Sequence, residues 1–289
     1  MLRPWILAAR PKTLPAAIAP VLLGTALAFR DGAFRPAPAL LALGFALLIQ
    51  IATNFANDYF DFVKGADTPD RQGPARAVAS GMIPPCMMLR ATVACFALAF
   101  AEGLLLLPYG GWPLALVGLV CVLAGLAYTG GPFPLAYTGT ADIFVMLFFG
   151  VVAVTMTYYV QAGSIGTACV VLSIAPGALA TNILVVNNYR DFETDRAADK
   201  RTLVVRFGRG FGAAEYLLML TLASAVPVAL WRMGYGPWVL LPLVSLPLGL
   251  RLFRMMLRAE SRAAHDKALS GTARYLLIHS LLLAAGLLA

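Results

Sequence analysis

The sequence predicts an all-α fold, a polytopic membrane bundle of about nine transmembrane helices in a single domain covering residues 1–289. Three observations carry this prediction. The composition is 60% hydrophobic and only 12% charged, with a mean hydropathy of +0.80, against roughly 45–50% apolar and about 25% charged in a soluble domain. So few charges cannot coat a water-facing surface, and lipid must cover much of the chain. Apolar runs recur along the sequence, each close to the roughly 20 residues that a spanning helix needs. The basic residues, finally, gather on alternate connections between those runs.

The runs fall near residues 13–29, 36–57, 86–107, 111–129, 138–160, 164–188, 211–231, 235–257 and 272–288. Ala26-Leu27-Ala28 imitates a leader-cleavage site, but Pro15 and Pro20 interrupt the run, which reads as the first span instead. Arg3, Arg10 and Lys12 precede it. Lys64, Arg71, Arg76 and Arg90 surround the second-to-third connection, and Arg190, Arg196, Lys200, Arg201, Arg206 and Arg209 the sixth-to-seventh. Arg251, Arg254, Arg258, Arg262, Lys267 and Arg274 cluster around the last, leaving Arg30, Arg35 and Arg232 for the other side. Basic residues favour the cytoplasmic face, so the N-terminus is expected inside. The excess of 22 Lys and Arg over 14 acids is therefore a topology signal, and no nucleic-acid partner is expected. Cys86, Cys95, Cys121 and Cys169 lie in or beside apolar runs without a C-x-x-C pair, and read as packing residues.

The acids are concentrated. Eight of the 14 occupy two short windows, Asp58, Asp61, Asp67 and Asp70, then Asp191, Glu193, Asp195 and Asp199. Each window begins where an apolar run ends on the positive-inside face. Solvated loops would account for the charge count alone, but not for the spacing. Asn54, Asp58 and Asp61 fall on one helical stripe, and so do Asn188, Asp191 and Asp195. Asn57-Asp58-Tyr59-Phe60-Asp61 and Asn187-Asn188-Tyr189-Arg190-Asp191 also share the frame Asn-x-Tyr-x-Asp, as in a duplicated half-bundle whose two acid-bearing helices face one cavity.

Such clusters need a cation between them. A carboxylate at membrane depth costs about 2.5–3.5 kcal/mol on insertion scales. Two unit charges 4 Å apart repel by about 4 kcal/mol at an effective dielectric of 20. Mg²⁺ suits the donor set, being a hard ion usually held by one or two carboxylates together with substrate phosphate. Lys64, Arg71, Arg76, Lys200 and Arg201 are interleaved with the acids and suited to the outer phosphate oxygens. Acids for a metal beside bases for phosphate point to a diphosphate substrate.

On these residues the chain resembles the UbiA-type intramembrane prenyltransferases. Asn57-Asp58-Tyr59-Phe60-Asp61, running on to Asp67, is similar to the family's N-D-x-x-D signature. Asp191-Phe192-Glu193-Thr194-Asp195, leading into Asp199-Lys200-Arg201-Thr202-Leu203, is similar to its D-x-x-x-D signature. Ala9-Arg10-Pro11-Lys12-Thr13-Leu14-Pro15, Thr68-Pro69-Asp70-Arg71-Gln72-Gly73-Pro74-Ala75-Arg76 and the second Asn-rich motif narrow the likeness to the branch that prenylates 1,4-dihydroxy-2-naphthoate. Two positions depart from that branch. Asp199 stands where it usually has Gly, and Thr140-Ala141-Asp142 where it commonly has a Gly-Glu pair.

The resemblance implies Mg²⁺ as cofactor, with Asp58, Asp61, Asp191 and Asp195 as its ligands and Asp67 as a further catalytic acid. It implies Asn54, Asn57, Asn187 and Asn188 on the diphosphate. The partners implied are a polyprenyl diphosphate, an aromatic acceptor and the lipid bilayer, here a bacterial cytoplasmic (inner) membrane. Phe144, Met146, Phe148, Phe149 and Met156 are candidates for an apolar prenyl groove, with ordinary packing as the competing account. Tyr128 and Tyr137, beside the Gly130-Gly131-Pro132 break, are candidates for acceptor contact, or belt residues. Arg10 and Lys12 are candidates for the acceptor's carboxylate, or topology anchors. His279, alone in the last span, reads as a helix-packing residue. Rival functions are a prenyltransferase acting on 4-hydroxybenzoate or homogentisate and, from another class, a cation transporter. A transporter usually places its acids near mid-membrane rather than at span ends.

Overall fold

The computed structural model describes residues 2–65 and 76–289, and its regular elements there are all helical. A short helix α1 (Leu2–Ala9) meets α2 (Pro15–Arg30) at a bend of 52°. Then follow α3 (Pro36–Val63), α4 (Pro85–Leu104), α5 (Pro113–Ala127) and α6 (Ala141–Ala162). The chain continues through α7 (Thr167–Arg190), α8 (Arg209–Arg232), α9 (Pro237–Leu257) and α10 (Arg262–Leu288). Proline opens α2, α3, α4, α5 and α9. At a helix start its missing N–H leaves no bond unmade and its fixed φ suits the first turn. Glycines in left-handed conformation close α3 at Gly65 and α6 at Gly163.

Among the described residues, seven helices are long and apolar enough to cross a bilayer, and the bent α1–α2 pair makes an eighth candidate. These eight coincide with predicted spans. The run expected at 111–129 forms only the 15 residues of α5, about 22 Å at 1.5 Å per residue and short of a full crossing unaided. The cysteines are free, Cys121 and Cys169 being buried.

Helix α7 is the axis of the bundle. Some 72% of its apolar window is buried, more than in any other span. It packs against α2, α6, α8 and α10, while α3 packs chiefly against α4. Small residues permit the closest approaches. A Cβ on Gly150 would lie 2.7 Å from the Ser173 carbonyl, and one on Gly24 would lie 2.7 Å from that of Val154. Met146 fills the α6–α7 contact at Gly177 rather than lining a groove. Within α6, Met146–Val152 widens into a π-helical stretch, a distortion frequent at functional sites.

Candidate active site

One cavity of about 360 Å³ opens between the two halves of the bundle. Its deeper wall is apolar and includes Phe144, Phe148, Phe149 and Met156 of α6, with Phe45 and Ile49 of α3. Its mouth is polar, lined by Asn54, Asn57, Asp61 and Arg76 on one side and Asn187, Asn188, Asp191, Asp195 and Lys200 on the other. The acids are almost wholly withdrawn from solvent, Asp61 at 2% exposure and Asp191 at 5%.

Lys200 joins the two motifs. Its Nζ lies 3.7 Å from Asp61 Oδ1 and 4.0 Å from Asp195 Oδ1, so carboxylates 134 positions apart in sequence flank one ammonium. Asp61 has two further partners. Arg76 Nη2 donates to its Oδ2 at 2.8 Å, and the Tyr137 hydroxyl donates to its Oδ1 at 2.9 Å. Both Lys64 and Lys200 also stand over the Tyr137 ring, at 4.9 and 4.7 Å. Burial pushes the Lys64 ammonium down from its ordinary pKa, with Asp61 opposing that shift and Lys200 adding to it. Lys64 donates to the Thr129 carbonyl at 2.6 Å, and it does not line the cavity.

Asp191 is held differently. Arg190, the next residue in sequence, grips it through Nε at 2.7 Å and Nη2 at 2.6 Å. The same guanidinium reaches Asn187 Oδ1 at 2.8 Å and Asp266 of α10 at 2.9 Å. Asp195 ends its motif on the short helix Phe192–Ala197.

Other predicted residues take positions that spacing alone did not reveal. Asp58 turns its carboxylate to the Ala77 and Val78 amides, accepting at 3.0 and 3.2 Å, and so anchors the strand of chain that carries Arg76. Asn54 donates to the Ala9 carbonyl and to Thr13, tying α3 to the α1–α2 bend. Asn57 accepts from Thr129 at 2.7 Å. Arg10 and Tyr128 line the cavity, whereas Lys12 faces a separate groove with Asp266, Lys267 and Arg274. Arg201 is exposed and pairs with Asp199 at 3.5 Å. Asp67, Asp70 and Arg71 lie outside the described residues. His279 is fully buried beside Tyr275, away from the cavity.

Two backbone positions are unusual. Arg10 and Asp199 have φ of 50° and 52°, left-handed values that cost a non-glycine residue energy and that Asp tolerates better than most. The strain at Arg10 belongs to the bend between α1 and α2, where its side chain meets the cavity. Asp199, standing where glycine is usual in the resembled branch, has the conformation that favours glycine. Sequence reasoning missed the clasp by Arg190, and met Asp142, a cavity acid outside both motifs, only as a departure from the resembled branch. The signal for each was present, a charge placed within the Asn-x-Tyr-x-Asp frame and a charge inside an apolar run.

The donor set can be tested against Mg²⁺. Every candidate ligand at the mouth offers oxygen, as a hard cation requires. Among the described residues no three acids converge into a closed cage. The cations now bridging the acids mark where positive charge is needed. The residues fit a Mg²⁺–diphosphate unit.

The UbiA prenyltransferase family model matches residues 17–281. The chain belongs to the UbiA prenyltransferase family. It is 38% identical to the 1,4-dihydroxy-2-naphthoate octaprenyltransferase of Escherichia coli K12, covering 98% of this chain and 94% of that one. To the 1,4-dihydroxy-2-naphthoate octaprenyltransferase of Mycobacterium tuberculosis it is 41% identical, over 86% of this chain and 84% of that one. Among solved structures, a UbiA homologue from Archaeoglobus fulgidus bound to GPP and Mg²⁺ superposes with a TM-score of 0.67. It is 15% identical and covered to 99%, with 97% of this chain matched. That likeness establishes the fold, an integral membrane helical bundle.

Proposed function

We propose that the protein transfers a polyprenyl group from its allylic diphosphate to 1,4-dihydroxy-2-naphthoate, releasing diphosphate and carbon dioxide and giving a demethylmenaquinone skeleton. The observation that carries this reading is Lys200, set between Asp61 of the first motif and Asp195 of the second at the mouth of an apolar cavity. Bacterial relatives that are 1,4-dihydroxy-2-naphthoate octaprenyltransferases support the acceptor. The whole chain acts as one domain in a bacterial cytoplasmic membrane, with the N-terminus inside.

Asp61, Asp191 and Asp195, with Asn187 and Asn188, would hold Mg²⁺ and the diphosphate it accompanies. When bound, that ion supplies Lewis-acid stabilisation of the charge developing on the leaving diphosphate. Arg76 and Lys200 add preorganised positive charge to the same oxygens. Asp58 acts at one remove, fixing the segment that aims Arg76. The apolar wall of Phe144, Phe148, Phe149 and Met156 receives the prenyl chain and keeps water from the allylic cation. Arg10 faces the acceptor's carboxylate from the bend before α2. Attack by the electron-rich ring and loss of carbon dioxide complete the exchange, with no covalent enzyme intermediate.

The test is a detergent-solubilised assay with dihydroxynaphthoate, an allylic polyprenyl diphosphate and Mg²⁺, read by product mass. A prenylated, decarboxylated product that disappears with EDTA is expected. Prenylation of 4-hydroxybenzoate or homogentisate alone would keep the diphosphate site and discard the acceptor.

A further inference from the structure

One acid in the cavity wall belongs to neither motif. Asp142 lies in the first turn of α6, is 5% exposed and lines the cavity. Neither of its carboxylate oxygens has a hydrogen-bond partner among the described residues. An acid buried within a span is costly, and one without a partner more so. Polar groups left unmatched in a native fold are rare, and call for something to meet them. As they stand these oxygens are withdrawn from solvent, and the residue that carries them borders the cavity.

Its surroundings suit an aromatic anion with ring hydroxyls. Tyr128 lines the same cavity, and both Asp142 and Arg10 lie within electrostatic reach of it. Arg10 contributes positive charge from the strained bend, and the rings of Phe148 and Phe149 border the space. Glu215 of α8 lies within electrostatic reach of Asp142 and is itself buried, with Oε2 unmatched. It does not line the cavity. Of these two buried acids outside the motifs, Asp142 is the one that lines the cavity.

We propose that Asp142 receives the ring hydroxyl of the aromatic acceptor and acts as its proton acceptor, a catalytic residue for the acceptor half of the reaction. The inference rests on the prenyl-transfer function proposed above. As a ring carbon bonds to the allylic carbon, the C–O bond to diphosphate breaks and its electron pair leaves with the diphosphate. The hydroxyl proton passes to Asp142 and the ring oxygen becomes a ketone. Loss of carbon dioxide returns an electron pair to the ring, the oxygen regains its proton, and Asp142 ends unchanged.

The experiment compares full-length wild type with Asp142→Asn and Asp142→Glu, measuring steady-state turnover and Mg²⁺-dependent binding of the prenyl diphosphate. Asp142→Asn is expected to lower kcat/KM for the dihydroxynaphthoate by about 100-fold or more, the lower end of a general-base contribution. Its prenyl diphosphate affinity should stay within about twofold of wild type, and Asp142→Glu should recover part of the turnover. In wild type, an acceptor analogue with its ring hydroxyls methylated should bind less well than the parent; Asp142→Asn should lose that preference. Turnover by Asp142→Asn close to wild type would overturn the proposal, as would equal loss of prenyl diphosphate binding, which marks a packing role. Wild type that binds prenyl diphosphate yet never prenylates the naphthoate would overturn the acceptor assignment, and this inference with it.

Discussion

The two acid motifs share a sequence frame and differ in how they are held. Asp61 is gripped from a distance, by Arg76, by Tyr137 and by Lys200, so its position records three separate segments. Asp191 is gripped from next door, by Arg190, whose Nη2 also donates to Asn187 and whose Nη1 reaches Asp266. The first arrangement is assembled by the tertiary fold and the second is largely built into α7. One consequence is redundancy. Asp61 keeps two partners if one is lost, whereas Arg190 is the cation paired with Asp191 among the described residues.

The largest effect should come from removing either carboxylate. Asp61→Asn and Asp191→Asn should each lower turnover by at least about 100-fold, the scale of losing one preorganised charge-stabilising group. Both should still insert as folded protein, as judged by size-exclusion profile in detergent. The clasps should then separate the motifs. Arg190→Met leaves Asp191 buried without its cation, and removing one partner of a buried pair costs about 3–5 kcal/mol. Arg76→Met leaves Tyr137 and Lys200 on Asp61 and should cost about 1–3 kcal/mol. Thermal melting of the two variants measures the difference; equal melting temperatures would remove the distinction drawn between local and assembled clasps.

Asp58 sharpens the same comparison, because its counterpart in the second motif is Asn188. Asp58→Asn should weaken the hold on the Ala77 and Val78 amides and lower prenyl diphosphate affinity about tenfold, equivalent to about 1.4 kcal/mol. Binding titration with Mg²⁺ present reads this directly. The smallest change is expected for Tyr137→Phe, which deletes one neutral donor to Asp61 worth about 1 kcal/mol. A KM for prenyl diphosphate raised about fivefold with kcat preserved fits that value.

Much of the fold was legible because bilayer helices announce themselves. Apolar runs and alternating basic connections predicted eight spans that match long or bent helical elements, and the short α5 was the exception. Proline opens the helices at Pro36 and Pro85, a start signal that hydropathy alone did not use. The site was legible in composition and less so in geometry. Helical spacing put Asp58 and Asp61 on one stripe, yet Asp58 faces the backbone at 77–78 while Asp61 faces the cavity. That division depends on a connection whose fold no periodicity describes. Tyr137 was an acceptor candidate by position, and spacing did not reveal that its hydroxyl donates to Asp61. Lys12 and Arg10 are two residues apart, and a left-handed backbone at Arg10 sends them to different grooves. Asp142 stood out as a charge in a span and as a departure from the resembled branch, and its meaning appears once the cavity does.

The central claim is that the two motifs hold one diphosphate between them. The most direct test is equilibrium binding of a non-hydrolysable polyprenyl thiodiphosphate to wild type, Asp61→Asn, Asp191→Asn and the double variant, with Mg²⁺ and with EDTA. Binding is predicted to require Mg²⁺, to be lost in each single variant, and to fall no further when both are combined. Either single variant binding as tightly as wild type, or two losses that simply add, would contradict a shared site.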